Sequence, residues 1–199
     1  MRVLAYTNKL PFPVRGAAEQ EIVSGIKNLK LLGCEVRVLS LLMPWQKKLD
    51  LVECEKHLAA KIFTIEVAQN SNPKQTLERI AACIKDPLML DGAAYLSGCN
   101  ETIKFVEKHI LEFQPTLIWS DMSFSWPIAK LAKKHRIPSV TRSQNFEADH
   151  FLEWHGGWSV KNSLKFFVKY LGEWKATGGQ LGSQGIFLIS SLATDSFVT

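Results

Sequence analysis

Arg142, Gln144, Asn145, Glu147, Asp149 and His150 lie close together in the chain, with Phe146 among them. A guanidinium, two amides, two carboxylates and an imidazole can donate to and accept from hydroxyl groups, and the guanidinium can pair with an anion. Ile137 to Thr141, just upstream, has a proline at its entry, β-branched residues and no charge. That composition predicts a short buried strand. In an open parallel sheet the loops at the carboxyl ends of strands form the crevice where ligands bind. The same residues also fit a strand end followed by a helix, with Asn145 as its N-cap. Glu147 pairing with Arg142 across the loop is a purely structural alternative for those two residues.

A second candidate segment is Asn8-Lys-Leu-Pro-Phe-Pro-Val-Arg15-Gly16. Gly16 allows close approach of a ligand to the N-terminus of a helix beginning at Ala17, where free N–H groups favour an anion. It serves equally well merely to turn the chain. If both loops open on one edge of the sheet, Arg15 and Arg142 supply positive charge beside those N–H groups. Asp121 follows a further strand, and either faces the crevice or caps the next helix. His150, beside Asp149, is a candidate acceptor contact. His109, His135 and His155 read as helix-end or surface residues, and His57 has no partner in the pattern. No residue is assigned a catalytic role, and neither a metal nor a cofactor is expected. The chain carries no HExxH, GxSxG or Walker pattern.

Regular elements must hold these loops. Arg2–Thr7 reads as a buried strand, followed by a helix from Ala17 to Leu32 with Ile22, Ile26 and Leu29 on one face. Gly33 stands where a left-handed C′ residue ends a helix, and Glu35–Leu41 is the second strand. Strand, loop, helix and strand make a βαβ unit, with parallel strands and a right-handed crossover. Leu42 to Ala60 reads as a loop with one short helix, and Lys61–Val67 as a strand. Asn72-Pro73 opens a helix with Leu77, Ile80, Ala81 and Ile84 at i, i+3, i+4, i+7, broken by Asp86-Pro87. One longer helix is expected from Ala93 to Phe113, burying Cys99, Ile103, Val106, Ile110 and Phe113. Thr116–Trp119 is a strand, Ser120–Ser123 a loop, and Trp126–His135 a helix. After Asp149 come the aromatic-rich stretch His150–Trp158, a helix Ser159–Thr177, a glycine-rich loop, a strand Gly185–Ile189 and the start of another helix from Ser190. The order predicts an α/β domain: a Rossmann-like, doubly wound parallel sheet of about six strands with helices on both faces, over residues 1–199 as a single domain.

Composition narrows the function classes. At 199 residues, 46% hydrophobic and 22% charged, the chain is an ordinary globular one, and no apolar run is long enough for a membrane span. Cys34, Cys54, Cys83 and Cys99 are scattered without Cys-x-x-Cys pairing, which argues against a zinc site or disulfide framework and fits a reducing cytoplasm. The formal charge of +5 permits an anionic partner. Nucleic acid is not an expected partner. In the helix 159–177, Leu164, Phe167, Val168, Leu171 and Trp174 form an apolar stripe and Lys161, Lys165 and Lys169 a basic one. With Trp154 and Trp158 the helix fits an anionic membrane surface at the inner face of the membrane. The stripe also suits packing within the domain or against a further one.

Strand, Pro-x-Pro-x-x-Gly loop, helix and then Leu-Leu-Gly-Cys-Glu-Val-Arg-Val together resemble the opening of family 4 glycosyltransferases of the GT-B fold, where the wording is typically Gly-His-Glu-Val. Ile137-Pro-Ser-Val-Thr-Arg-Ser-Gln-Asn-Phe-Glu is similar to the Pro-x-x-x-x-Arg-x-His-Asn-x-Glu segment of a bacterial branch. Ile189-Ser190 with Phe197 is similar to the pattern closing the same domain. The resemblance implies an N-terminal, acceptor-side half of a retaining transferase, with a nucleotide-sugar donor held by a C-terminal half absent here, and a glycan or lipid-linked acceptor, as in polysaccharide biosynthesis. On that reading this chain alone transfers no sugar. Arg142, Asn145 and Glu147 match position by position; Gln144 stands where the family has His, keeping a polar contact but losing a proton-accepting group near neutral pH. A non-catalytic sugar-binding or partner protein is the alternative. A dinucleotide-dependent oxidoreductase is disfavoured by the lack of G-x-G-x-x-G after the first strand.

Overall fold

The first strand, β1 (Arg2–Thr7), is uncharged after Arg2, and every residue from Val3 to Thr7 is fully buried. A strand buried on both faces belongs at the centre of a parallel sheet covered by helices on both sides. The computed structural model, which describes residues 1–66, 73–143, 159–181 and 187–189, has this arrangement. Six parallel strands stand in the order β3-β2-β1-β4-β5-β6. The others are β2 (Glu35–Leu42), β3 (Lys61–Glu66), β4 (Leu117–Asp121), β5 (Ser139–Ser143) and β6 (Phe187–Ile189). Winding proceeds outward from β1 through β2 and β3, then returns to β4 on the other side of β1. The β1/β4 boundary is therefore the topological switch point, where such sheets open a ligand crevice.

Helices α1 (Ala17–Leu31) and α2 (Leu51–Leu58) cover one face. There Ile22, Val23 and Ile26 pack with Val3, Ala5 and Val38 of the sheet. The other face carries α5 (Asn100–Phe113) and α6 (Trp126–Lys134), whose Val106, Ile110, Ile128 and Leu131 meet Leu4, Tyr6 and Leu39. Gly33 ends α1 with φ +76, the left-handed conformation expected of it. Before α5 lie α3 (Pro73–Lys85), a 3-10 turn at Pro87–Leu90, and α4 (Gly92–Gly98); α7 (Val160–Leu181) follows β5.

The structure departs from the sequence reading in several places. The single helix expected over Ala93–Phe113 is two, broken at Cys99, whose backbone is extended (φ −66, ψ 156). The break is fixed by packing. A Cβ on Gly98 would lie 2.7 Å from Met89 Cε, and Thr102 Oγ1 donates to the Leu96 carbonyl at 2.7 Å, serving the end of α4 from the first turn of α5. The strand β4 extends to Asp121 and β5 to Ser143, so Asp121 and Arg142 are sheet residues, not loop residues. Helix α7 continues through Gly178-Gly179 to Leu181, where a loop was expected. His109 is buried, 4% exposed, because the aromatic rings of Phe63 and Phe105 enclose it and Arg37 Nη1 donates to its Nδ1 at 3.2 Å. The α3 helix forms as expected, and its stripe of Leu77, Ile80, Ala81 and Ile84 is exposed. The helix expected from Ser190 lies outside the described residues.

Candidate functional site

Three polar side chains meet at the carboxyl edge of the sheet on either side of the switch point. Thr7 ends β1, Asp121 ends β4, and Arg142 is the penultimate residue of β5. The pairing of Tyr6 with Ser120 and of Asp121 with Arg142 sets all three on the α1 face. They are 0%, 2% and 7% exposed.

Asp121 and Arg142 form a buried ion pair. Arg142 Nε donates to Asp121 Oδ1 at 2.8 Å, and Nη2 lies 2.7 Å from the same oxygen without a hydrogen-bonding angle to it. Arg142 Nη1 donates to the Glu21 carbonyl in α1 at 3.0 Å, and the guanidinium carbon stands 5.8 Å from the centre of the Trp119 ring. Trp119 Nε1 donates to Asp121 Oδ1 at 3.4 Å. Burial pushes the Asp121 carboxyl above its ordinary range, and the Arg142 guanidinium opposes that shift. Gly25 of α1 makes the space: a Cβ there would lie 3.1 Å from Arg142 Nη1.

Thr7 Oγ1, Asp121 Oδ2 and Arg142 Nη2 are left as buried polar atoms without a hydrogen-bond partner. Such atoms are uncommon in folded proteins and mark strain or a functional site. All three atoms are buried, so in this structure they make a closed polar cluster at the end of the sheet.

The loop between β1 and α1 is held from behind by Gln46, a buried residue that sequence reasoning missed. Its Nε2 donates to the Leu10 and Phe12 carbonyls, each at 2.6 Å, and its Oε1 accepts from the Met43 N–H at 3.2 Å. A lone glutamine after Pro44-Trp45 gives no warning of this, because the two loop carbonyls it holds, of Leu10 and Phe12, are more than thirty residues away in sequence. Lys9 ties the loop to α1 through Glu19 at 2.6 Å. Gly16 is the N-cap of α1, and both it and Arg15 are exposed.

The expected anion site at this helix end needs correction. Glu19 Oε2 lies 3.3 Å from where a Gly16 Cβ would be, and its carboxyl is held below the usual range by the Lys9 ammonium first and by the Glu19 and Gly16 backbone groups as well. The helix N-terminus therefore already has its own carboxylate. Nor do Arg15 and Arg142 join as two surface cations, since Arg142 is buried beneath α1 and neutralised by Asp121. Asp121 in turn neither faces an open crevice nor caps α6 with its side chain. Ser125 is the N-cap there, and its Oγ donates to the Asp121 carbonyl at 2.9 Å. Gln144, Asn145, Glu147 and His150 lie outside the described residues, directly after β5. His135 Nε2 is 2.8 Å from Glu107 at the end of α6, a helix-end position as expected. Among the described residues no group of three or more His, Cys, Asp or Glu is arranged to hold a metal ion.

The fold and the edge just described define a Rossmann-like α/β domain with a polar cluster at its switch point. No protein-family model and no curated protein matches the chain. Solved structures do resemble it, among them UGT89C1 of Arabidopsis thaliana. Its complex with UDP matches at 18% identity and TM-score 0.47, over 96% of this chain and 43% of that one. Its complex with UDP-L-rhamnose matches at 17% identity and TM-score 0.48, over 96% and 42%. A UGT transferase of Siraitia grosvenorii in complex with UDP matches at 15% identity and TM-score 0.39, over 78% and 32%. The chain thus spans less than half the length of these structures.

Proposed function

We propose that this chain is the acceptor-side, N-terminal half of a retaining glycosyltransferase of family 4. The whole enzyme would move a sugar from a nucleotide-sugar donor to a hydroxyl of a glycan or lipid-linked acceptor in the cytoplasm. The observation that carries the reading is the Thr7–Asp121–Arg142 cluster at the β1/β4/β5 edge. It holds the end of β5, after which Gln144-Asn145-Phe146-Glu147 follows in the sequence. On this reading Gln144, Asn145, Glu147 and His150 supply the donors and acceptors for the acceptor's hydroxyl groups. Arg142 is a positioning residue on this reading, since its guanidinium is committed to Asp121 and the Glu21 carbonyl. The donor belongs to a second Rossmann-like half facing this edge, and Arg15 and Gly16 stand on the rim between them.

One observation favours a second reading. Gln144 stands where the similar sequences have His, and an amide takes up no proton near neutral pH. A sugar-binding or partner protein would need only the hydrogen bonds. Substitution in the chain joined to its donor half separates the two. Asn145→Ala and Glu147→Gln lower turnover or acceptor affinity and leave the melting temperature nearly unchanged if the segment contacts the acceptor. Loss of stability with full activity would make the cluster structural. Acceptor binding without any transfer would favour the non-catalytic reading.

A further inference from the structure

The loop between β1 and α1 is poor in donors of its own, since Pro11 and Pro13 carry no backbone N–H. Its carbonyls are served by one side chain from elsewhere in the chain. Gln46 ends the 3-10 turn Pro44–Gln46 that follows β2, and it is 3% exposed. Its Nε2 donates to the Leu10 and Phe12 carbonyls, each at 2.6 Å, while its Oε1 accepts from the Met43 N–H at 3.2 Å. Only an amide side chain brings two N–H donors and an acceptor without net charge. A carboxylate would face two carbonyl oxygens with no hydrogen to give. A lysine or arginine would leave the Met43 N–H unserved.

This clamp divides the loop in two. Leu10 and Pro11 are buried. Phe12 packs on the α1-face core and edge-on against His57 of α2, with ring centres 5.5 Å apart. Pro13 to Gly16 are exposed and run from that anchor to the N-cap of α1. Arg15 therefore sits between two fixed points, the clamped Phe12 and the first turn of α1, where Glu19 holds Lys9 at 2.6 Å. Strands β1 and β2 are parallel neighbours, so the loop and the Gln46 turn both lie at the carboxyl edge of the sheet.

We infer that Gln46 is a positioning residue, which sets the β1–α1 loop so that Arg15 and Gly16 meet the acceptor in one arrangement. The inference rests on the acceptor-side reading above. A loop ordered before binding spares the ligand the cost of ordering it. A loop competent in only about a tenth of the molecules lowers apparent affinity about tenfold. The loss falls on acceptor binding and not on the chemical step, because Gln46 reaches no further than the loop backbone.

Gln46→Met, which keeps the length and removes all three bonds, tests this in the chain joined to its donor half. Gln46→Asn, an amide one methylene short, is the second variant. Hydrogen exchange reads the loop: amides of residues 9–16 should exchange at least about tenfold faster in Gln46→Met, with β1 unchanged. Kinetics read its use, with the alkyl glycoside that the wild-type enzyme accepts best from a panel. The acceptor KM should rise about tenfold in Gln46→Met, and less in Gln46→Asn, with kcat within about twofold of wild type. In an Arg15→Ala background, Gln46→Met should raise KM by no more than about twofold, because the residue through which it acts is gone.

Three results overturn the inference: wild-type exchange in the loop, a loosened loop with wild-type acceptor KM, or a KM loss undiminished by Arg15→Ala. If Gln46→Met does not fold, the same three criteria apply to Gln46→Asn. A wild-type enzyme that transfers to no acceptor refutes the acceptor-side reading and this inference with it. Wild-type transfer together with any of the three results refutes the inference alone.

Discussion

Gly25 of α1 lies directly against the Arg142 guanidinium: a Cβ would stand 3.1 Å from Nη1, closer than ordinary van der Waals contact. A glycine inside a helix normally costs about 0.5–1 kcal/mol relative to alanine. Here that cost coincides with the close approach of a buried cation to α1. Gly25→Ala is therefore expected to destabilise the chain, by about 1 kcal/mol, because the guanidinium must shift from Asp121. In an Arg142→Ala background the same change should stabilise by about 0.5–1 kcal/mol. Thermal melts of the four proteins check the sign reversal, each 1 kcal/mol moving the midpoint by roughly 2–4 °C at this size.

The pair itself makes a sharper demand. Removing one partner of a buried ion pair leaves an uncompensated charge and costs about 3–5 kcal/mol. Asp121→Ala and Arg142→Ala are each expected in that range. The double variant should cost less than their sum by more than about 1 kcal/mol, since neither charge is then stranded. Strict additivity in urea unfolding would mean that the two groups do not depend on each other.

His109 gives the chain a pH dependence. Burial lowers its pKa, Arg37 and Lys108 lower it further, and Glu112 opposes them. Arg37 donates to Nδ1, so the folded ring is neutral with its proton on Nε2. An unfolded histidine takes up a proton near about pH 6.5, and the folded one resists it. Its contribution to stability is thus present above that pH and is lost as pH falls toward the lowered folded value. Denaturant unfolding at about pH 7.5 and about pH 5.5 should show a loss of up to about 1.4 kcal/mol per pH unit that His109→Gln largely removes. An unchanged pH slope in the variant would assign the dependence to another group.

The strands were legible in the sequence because a doubly wound sheet writes each of them as an uncharged run between turn residues. β1 was legible to the residue, as was the role of Gly33. The site was legible only in part. Asp121 and Arg142 were both singled out, yet their bond joins residues 21 apart in sequence, and no local spacing encodes it. Periodicity ranks helix faces by apolarity but not by what covers them, which is why the i, i+3, i+4, i+7 pattern of α3 does not reveal that its stripe is exposed. The Cys99 break had the same origin: α4 and α5 share one apolar period, and only the packing of Gly98 on Met89 and Pro127 divides them. His109 was misjudged because its burial depends on Arg37 of β2 and Phe63 of β3, both distant in sequence from α5.

The division of labour between two halves is tested most directly by thermal shift of this chain alone. The chain is to be titrated with a panel of nucleotide sugars and, separately, with glycan acceptors. An acceptor-side half should melt at the same temperature with and without every donor, show no turnover, and rise in melting temperature with a suitable acceptor. A clear rise with any nucleotide sugar would place donor binding in this domain and contradict the assignment.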